Sequence, residues 1–202
     1  QINFENKFED IDLSFTKIKD NFNFDAQINL QKTLFKINFL NFKKNKKLKT
    51  KIKISGIYNE NGNLNLNKIS IIEKDNKIMV NNLLIDKTNQ IKEVGLIDLD
   101  YLDTEGKKNT ILINKINKNN YHVKGQSFNA NTLISNLIKD KDYKKIKIFK
   151  NNFKIRLNLN QVFIDSENLI KDLNGLLEIV NNEIVDADIS AFFIDRNILK
   201  FT

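Results

Sequence analysis

The sequence predicts a mainly β protein: a long, twisted and curved antiparallel meander whose apolar side chains form one open groove, with one short helix near residues 131–139. Three observations predict it. Apolar and polar residues alternate from end to end, as in Phe22, Phe24, Ala26, Ile28 and Leu30 and again in Phe153, Ile155, Leu157 and Leu159. Successive side chains of a strand point to opposite faces, so each such stretch makes a ribbon with one apolar and one wet side. The stretches are joined by brief polar connections rich in Asn and Gly. Only one segment changes from a period of two to helical spacing.

Taken in order, the alternation places strands at 10–18, 22–30, 34–42, 48–58, 63–73, 77–86, 91–102, 110–117 and 121–128. After the helical segment come 153–165, 173–180, 183–193 and 198–201. Asn61-Gly62, Glu105-Gly106, Asn119-Asn120 and Asn181-Asn182 supply tight turns, because Gly and Asn tolerate positive φ. Strands joined this way lie antiparallel, with a hairpin spacing of roughly 10 to 15 residues. Leu133, Ile134, Leu137 and Ile138 fall at helical spacing, with Asn131 or Thr132 available as N-cap, and a charged loop follows from Asp140 to Lys147. The apolar stripe of that helix is expected to plug or cover one end of the sheet. The stretch from Ser166 to Leu173 is open to a helix or a loop.

Composition must be discounted before it is used. The 202 residues include no Pro, Cys or Trp and only two arginines, Arg156 and Arg196, against a great excess of Lys, Asn, Ile and Phe. An AT-rich genome would produce that bias, so the lack of proline is not a clean structural signal. The net charge of +8 is weakened for the same reason, since lysine is the default solvent-facing residue here. No run of about 18 apolar residues is present, so nothing spans a bilayer as a helix. Gln1 to Asp10 lack the basic start and apolar centre of a signal peptide. The chain has no initiator Met and both ends read as strand, which leads us to expect one β-rich segment, 1–202, of a larger elongated protein, with a possible sub-boundary around 140–152. The absence of cysteine excludes a disulfide framework and leaves the redox compartment open.

No catalytic, metal or cofactor site emerges. His122 is the only histidine and sits inside a strand pattern, so a triad or zinc site would have to be built around it alone. Asp98, Asp100, Asp103 and Glu105 lack the spacing and glycine of an EF-hand loop, and alternation places Asp98 and Asp100 on the wet face. Asp186 and Asp188 have the same explanation. The six glycines form no phosphate-cradling loop. Lys43, Lys44, Lys46 and Lys47 read as a flexible loop, while Lys49, Lys51 and Lys53 alternate with apolar residues on a strand. Phe35, Phe39 and Phe42 follow strand periodicity beside them, which favours core or groove packing over base stacking, and no nucleic acid partner is expected.

One stretch resembles a known family. Tyr121-His122-Val123-Lys124-Gly125-Gln126-Ser127-Phe128-Asn129-Ala130-Asn131-Thr132-Leu133-Ile134 is similar to a signature of the AsmA-like proteins, particularly the large YhdP-type members: a glycine-bearing strand, a small-Phe/Leu-Asp turn and a short helix beginning with paired leucines, where this chain has Leu133-Ile134. Val162-Phe163-Ile164-Asp165, Leu173-Asn174-Gly175-Leu176-Leu177 and Ala187-Asp188-Ile189 resemble the family's repeating strand units, and the hairpins from Ile52 to Leu102 share their cadence. Asn129 stands where the family commonly has Asp, and Ala191 where glycine is frequent.

The resemblance implies a bridge-like lipid-transport protein, anchored in the inner membrane by a part outside this chain and extending through the periplasm. Its long curved sheet would conduct phospholipid toward the outer membrane. The implied partners are phospholipid acyl chains and the remainder of the same longer chain. The groove candidates are Phe22, Phe24, Ile28, Leu30, Ile52, Ile54, Phe153, Ile155, Leu157 and Leu159. The alternative is a structural or adhesive β-sandwich, or an envelope assembly factor without lipid. Alternation cannot separate the two, because a strand facing a core and one facing an acyl chain carry the same pattern. An enzyme is not expected.

Overall fold

Cross-strand register converts the alternation into faces. The computed structural model describes residues 2–4, 9–139, 148–193 and 198–201, with side chains described except at 2–4, 136–139 and 201. The chain divides into two units, Gln1–Gly106 and Lys107–Thr202. The expected sub-boundary falls largely on 140–147, which lies outside the described residues.

The first unit contains β1 (Ile2–Phe4), β2 (Asp10–Ile18), β3 (Asn21–Leu30), β4 (Phe35–Ile37), β5 (Phe42–Lys43), β6 (Thr50–Asn59), β7 (Leu64–Glu73), β8 (Asn76–Ile85) and β9 (Ile91–Leu102). Six of these run in the neighbour order β9-β8-β7-β6-β3-β2, all pairs antiparallel. Opposed residues form apolar rows across the sheet. Ile11, Ile28, Ile52, Ile71, Ile78 and Leu99 make one, and Leu13, Ala26, Ile54, Ile69, Val80 and Ile97 the next. The rows of the other face are mostly polar, for example Asp12, Gln27, Lys53, Ser70 and Asp98, interrupted by Met79. Tight turns hold the hairpins where the sequence placed glycine, with Gly62 at φ 85°. Lys19 and Lys74 also adopt positive φ, which no turn signal in the sequence announced.

The stretch 34–42 is not the continuous strand its alternation suggests. Instead β4, a turn of 3-10 helix at Asn38–Leu40 and β5 form a separate three-stranded sheet with β1, in the order β1-β4-β5. Asn41 breaks the extended run by adopting φ 51°, with its N–H donating to Asn38 O. Phe35 and Phe42 are buried, as expected of core positions, but Phe39 is thrown outward and is 55% exposed.

The second unit contains β10 (Lys108–Asn117), β11 (Asn120–Asn129), helix α1 (Asn131–Lys139), β12 (Phe153–Phe163), β13 (Leu169–Val180), β14 (Glu183–Phe193) and β15 (Ile198–Phe201), neighbours in that strand order. All pairs are antiparallel except β11 with β12, which is parallel. A parallel return needs a long connection, and the segment carrying α1 supplies it. The helix starts at Asn131, and the residue that shapes its entry is Asn129, whose Oδ1 accepts the Asn131 N–H at 3.2 Å. Asn129 N in turn donates to Asn109 Oδ1 at 2.8 Å, tying the helix start to β10. The stretch from Ser166 to Leu173 is neither a helix nor, for the most part, a loop. The Asp165 side chain accepts the N–H groups of Glu167 and Asn168 and closes a short bend. From Leu169 the chain already belongs to β13, which starts four residues before the strand the alternation placed at 173–180. Apolar rows recur here: Ile113, Val123, Leu157, Gly175 and Ile189 in one, Tyr121, Ile155, Leu177 and Ala187 in the next.

Candidate functional site

In the first unit β3 and β6 bring Phe22, Phe24, Ile28, Leu30, Ile52 and Ile54 onto one face, because Ile28 opposes Ile52 and Phe24 opposes Gly56. A Cβ at Gly56 would sit 2.5 Å from Asn65 O and 3.0 Å from the Phe24 ring, so only glycine lets the bulged strand pass there. Phe22 stacks on Phe15 at 5.5 Å and tilts against Tyr58 at 6.4 Å. Phe22, Phe24, Ile28 and Ile54 are half-buried. Toward the edge the same face opens to water: Ile11, Leu13 and Phe15 of β2 are 62%, 65% and 62% exposed.

The opposite end of this face is covered. Leu30 and Ile52 are buried together with Ile71, Ile78, Leu99 and Tyr101. The cover is the excursion between β3 and β6. Phe42 packs its ring edge-on to Tyr101 at 5.7 Å and tilts against Phe35 at 5.9 Å. Tyr101 donates its hydroxyl proton to Leu40 O at 2.7 Å, and burial pushes that phenol well above its ordinary range. Thr104 N donates to Asn41 O at 2.9 Å. The buried Glu73 carboxylate accepts from Thr50 Oγ1 at 2.6 Å and from Asn45 N, fastening the excursion to β6 and β7. Leu30 and Ile52 therefore belong to a closed core end, while Phe22, Phe24, Ile28 and Ile54 lie on the open part.

The excursion also holds a buried cation. Lys44, read from the sequence as part of a solvated basic loop, is 1% exposed, and its Nζ donates to Gln31 O, Asn45 O and Leu48 O at 3.3, 3.1 and 2.8 Å. A buried ammonium is tolerable only when its donors are used. Lys43, Lys46, Lys47, Lys49, Lys51 and Lys53 remain exposed, as their pattern suggests.

In the second unit Phe153, Ile155, Leu157 and Leu159 share one face of β12. Phe153 meets Tyr121 at 5.6 Å and Phe149 at 4.9 Å, both edge-on. Ile155 and Leu157 are half-buried, and Leu159 is buried against the row containing Gly125 and Leu173. Lys154 and Arg156 are exposed on the other face, where Lys154 pairs with Glu178 at 2.9 Å.

The polar residues singled out earlier have structural roles. His122 Nε2 lies against Asn158 Oδ1, and Asn158 Nδ2 donates to Asn174 Oδ1 at 2.6 Å, a polar ladder over three strands. Asp98 pairs with Lys77 at 2.7 Å. Asp103 is buried rather than solvated, with Oδ1 accepting Glu105 N in the turn after β9. Among the described residues no group of three or more His, Cys, Asp or Glu could hold a metal ion, and no helix is long and apolar enough to cross a membrane.

No family model, curated protein or solved structure matches this chain. The functional reading therefore rests on the faces themselves.

Proposed function

We propose that this chain is a segment of a lipid-conducting β-groove that holds phospholipid acyl chains along its apolar sheet faces. The observation that carries the reading is the open run of apolar rows on β2, β3 and β6, where Ile11, Leu13 and Phe15 are 62–65% exposed beside half-buried Phe22, Phe24 and Ile54. An apolar face of this extent invites an apolar occupant. Each methylene withdrawn from water contributes about 0.8 kcal/mol, so an acyl chain gains substantially by lying on it. Because that gain is non-directional, sliding along the rows costs little. Headgroups stay in water while the chains follow the face. The resemblance to AsmA-like proteins supplies the setting: a periplasmic bridge anchored at the inner membrane by another part of the same protein. No enzymatic role is part of this reading.

Leu157→Asp tests it. Leu157 shares the apolar row of Val123 and Ile189 and is only half-buried. Among acyl chains an aspartate is an unpaired ion, whereas in a vacated groove it reaches water. The expected result, by melting and by native mass spectrometry with lipid extraction, is a folded variant stripped of lipid that the parent carries. An unfolded variant from a parent that never carries lipid would overturn conduction and leave a closed structural β-domain.

A further inference from the structure

The excursion that covers the end of the first unit's apolar face also builds a basic depression. It has a volume of about 410 Å³ and, among the described residues, is lined by Gln31, Lys32, Leu34, Lys46, Lys47 and Lys49, four of them lysines and none a carboxylate. All four ammonium-bearing side chains are exposed, and none of them has an acidic partner among the described residues. Four like charges outnumber the two carboxylates, Glu9 and Asp10, of the adjoining depression, and the excess raises the local potential in favour of an anion.

The walls are fixed by a side chain that takes no part in the lining. Lys44 Nζ bonds Gln31 O on one side of the depression and Asn45 O and Leu48 O on the other, so a single buried ammonium ties both walls together. Asn45 tightens the second wall further, its Oδ1 accepting Lys47 N at 2.9 Å and its carbonyl accepting Leu48 N at 3.3 Å. A separate observation shows that the backbone of this segment already holds one anion, a carboxylate of the chain itself. The consecutive N–H groups of Gln31, Lys32 and Thr33 converge on the Glu9 carboxylate at 2.5 to 3.0 Å, and they hold its carboxyl down to about 2. Glu9 and Asp10 line an adjoining depression that shares Gln31 and Lys49 with the basic one.

We infer that the depression of Lys32, Lys46, Lys47 and Lys49 is a binding site for a phosphate group, either free or as the headgroup of an anionic lipid. Lysine suits it as a compact, strongly hydrated charge on a stem long enough to follow the ligand. The inference goes beyond lipid conduction, because free phosphate carries no acyl chain and its binding requires no apolar face.

The test compares two variants of the full chain that lose equal charge. One is Lys32→Gln, Lys46→Gln, Lys47→Gln, Lys49→Gln; the other neutralises the exposed Lys118, Lys124, Lys171 and Lys200 of the second unit in the same way. Inorganic phosphate is titrated by phosphorus NMR, and flotation is measured with vesicles of phosphatidylcholine alone and of phosphatidylcholine with phosphatidic acid. Removing four weak, solvent-screened contacts is expected to lower phosphate affinity by about tenfold or more in the first variant only. If phosphate also displaces the parent from phosphatidic acid vesicles, the site takes a lipid headgroup. If phosphate binds but those vesicles do not, it takes a free phosphate. Equal losses in both variants, or no phosphate binding by the parent, would overturn the site. A parent that binds phosphate while the Leu157→Asp experiment fails would separate this inference from the groove.

Discussion

Lys44 and Glu73 show how far a residue's partners can lie from its sequence pattern. Both are about as buried as the core aromatics, yet nothing in their neighbourhood along the chain distinguishes Lys44 from the exposed lysines around it. Lys44→Met keeps the apolar stem and deletes the donor, leaving the carbonyls of Gln31, Asn45 and Leu48 short of a partner. A loss of about 1–3 kcal/mol is expected, read as a lower urea midpoint at unchanged slope. Glu9 gives a pH signature instead. Its folded carboxyl is held at about 2, below its ordinary 4.5, chiefly by the N–H groups of Gln31 and Thr33. A depressed carboxyl contributes stability that is full above 4.5 and is lost as pH falls toward 2. Urea midpoints followed from neutral to acid pH should therefore fall less steeply through that window in Glu9→Gln than in the parent; parallel curves would contradict the assignment.

At the scale of elements, alternation located the long strands well: 10–18, 91–102 and 183–193 coincide with β2, β9 and β14, as the short 198–201 does with β15. It misread 34–42, where alternate apolar residues serve a short sheet and a 3-10 turn rather than the meander. Period two reports which residues share a face, not which strand they pair with, and Asn41 at φ 51° leaves no signal that distinguishes it from the chain's many other asparagines. Phe42 is the anchor of this excursion, 1% exposed between Phe35 and Tyr101. Phe42→Ala is expected to cost about 3–5 kcal/mol. It should also uncover Ile52, Ile71 and Leu99, increasing the fluorescence of an apolar dye; destabilisation without new dye binding would mean that the excursion does not cover them. The parallel pairing of β11 with β12 was equally hidden, since tight-turn logic applies only where a tight turn exists, and here α1 and its flanking chain intervene.

Across the whole molecule, the strand ladders predict a gradient of protection. The amides of β7, β8, β12 and β13 are paired on both sides, whereas among the described residues β2 pairs only with β3 and forms an edge. Hydrogen exchange is expected to be slowest in those four strands and to reach β2 early; uniform protection would show that the β2 edge is covered in solution. The candidate residues were legible as far as the face they share: Phe22, Phe24, Ile28 and Ile54 in one unit, Phe153, Ile155 and Leu157 in the other, do lie side by side as alternation requires. The sequence by itself thus determined the class, the long strands, the helix near 131–139 and the division into apolar and polar faces, because all of these follow from local periodicity and turn chemistry. Only the tertiary structure decided that Leu30 and Ile52 lie in a closed end while Ile11, Leu13 and Phe15 stay open, and that four lysines converge around walls tied by a fifth. Covering a face and gathering like charges depend on residues distant in the chain, and on where an irregular excursion happens to land, which no local pattern records.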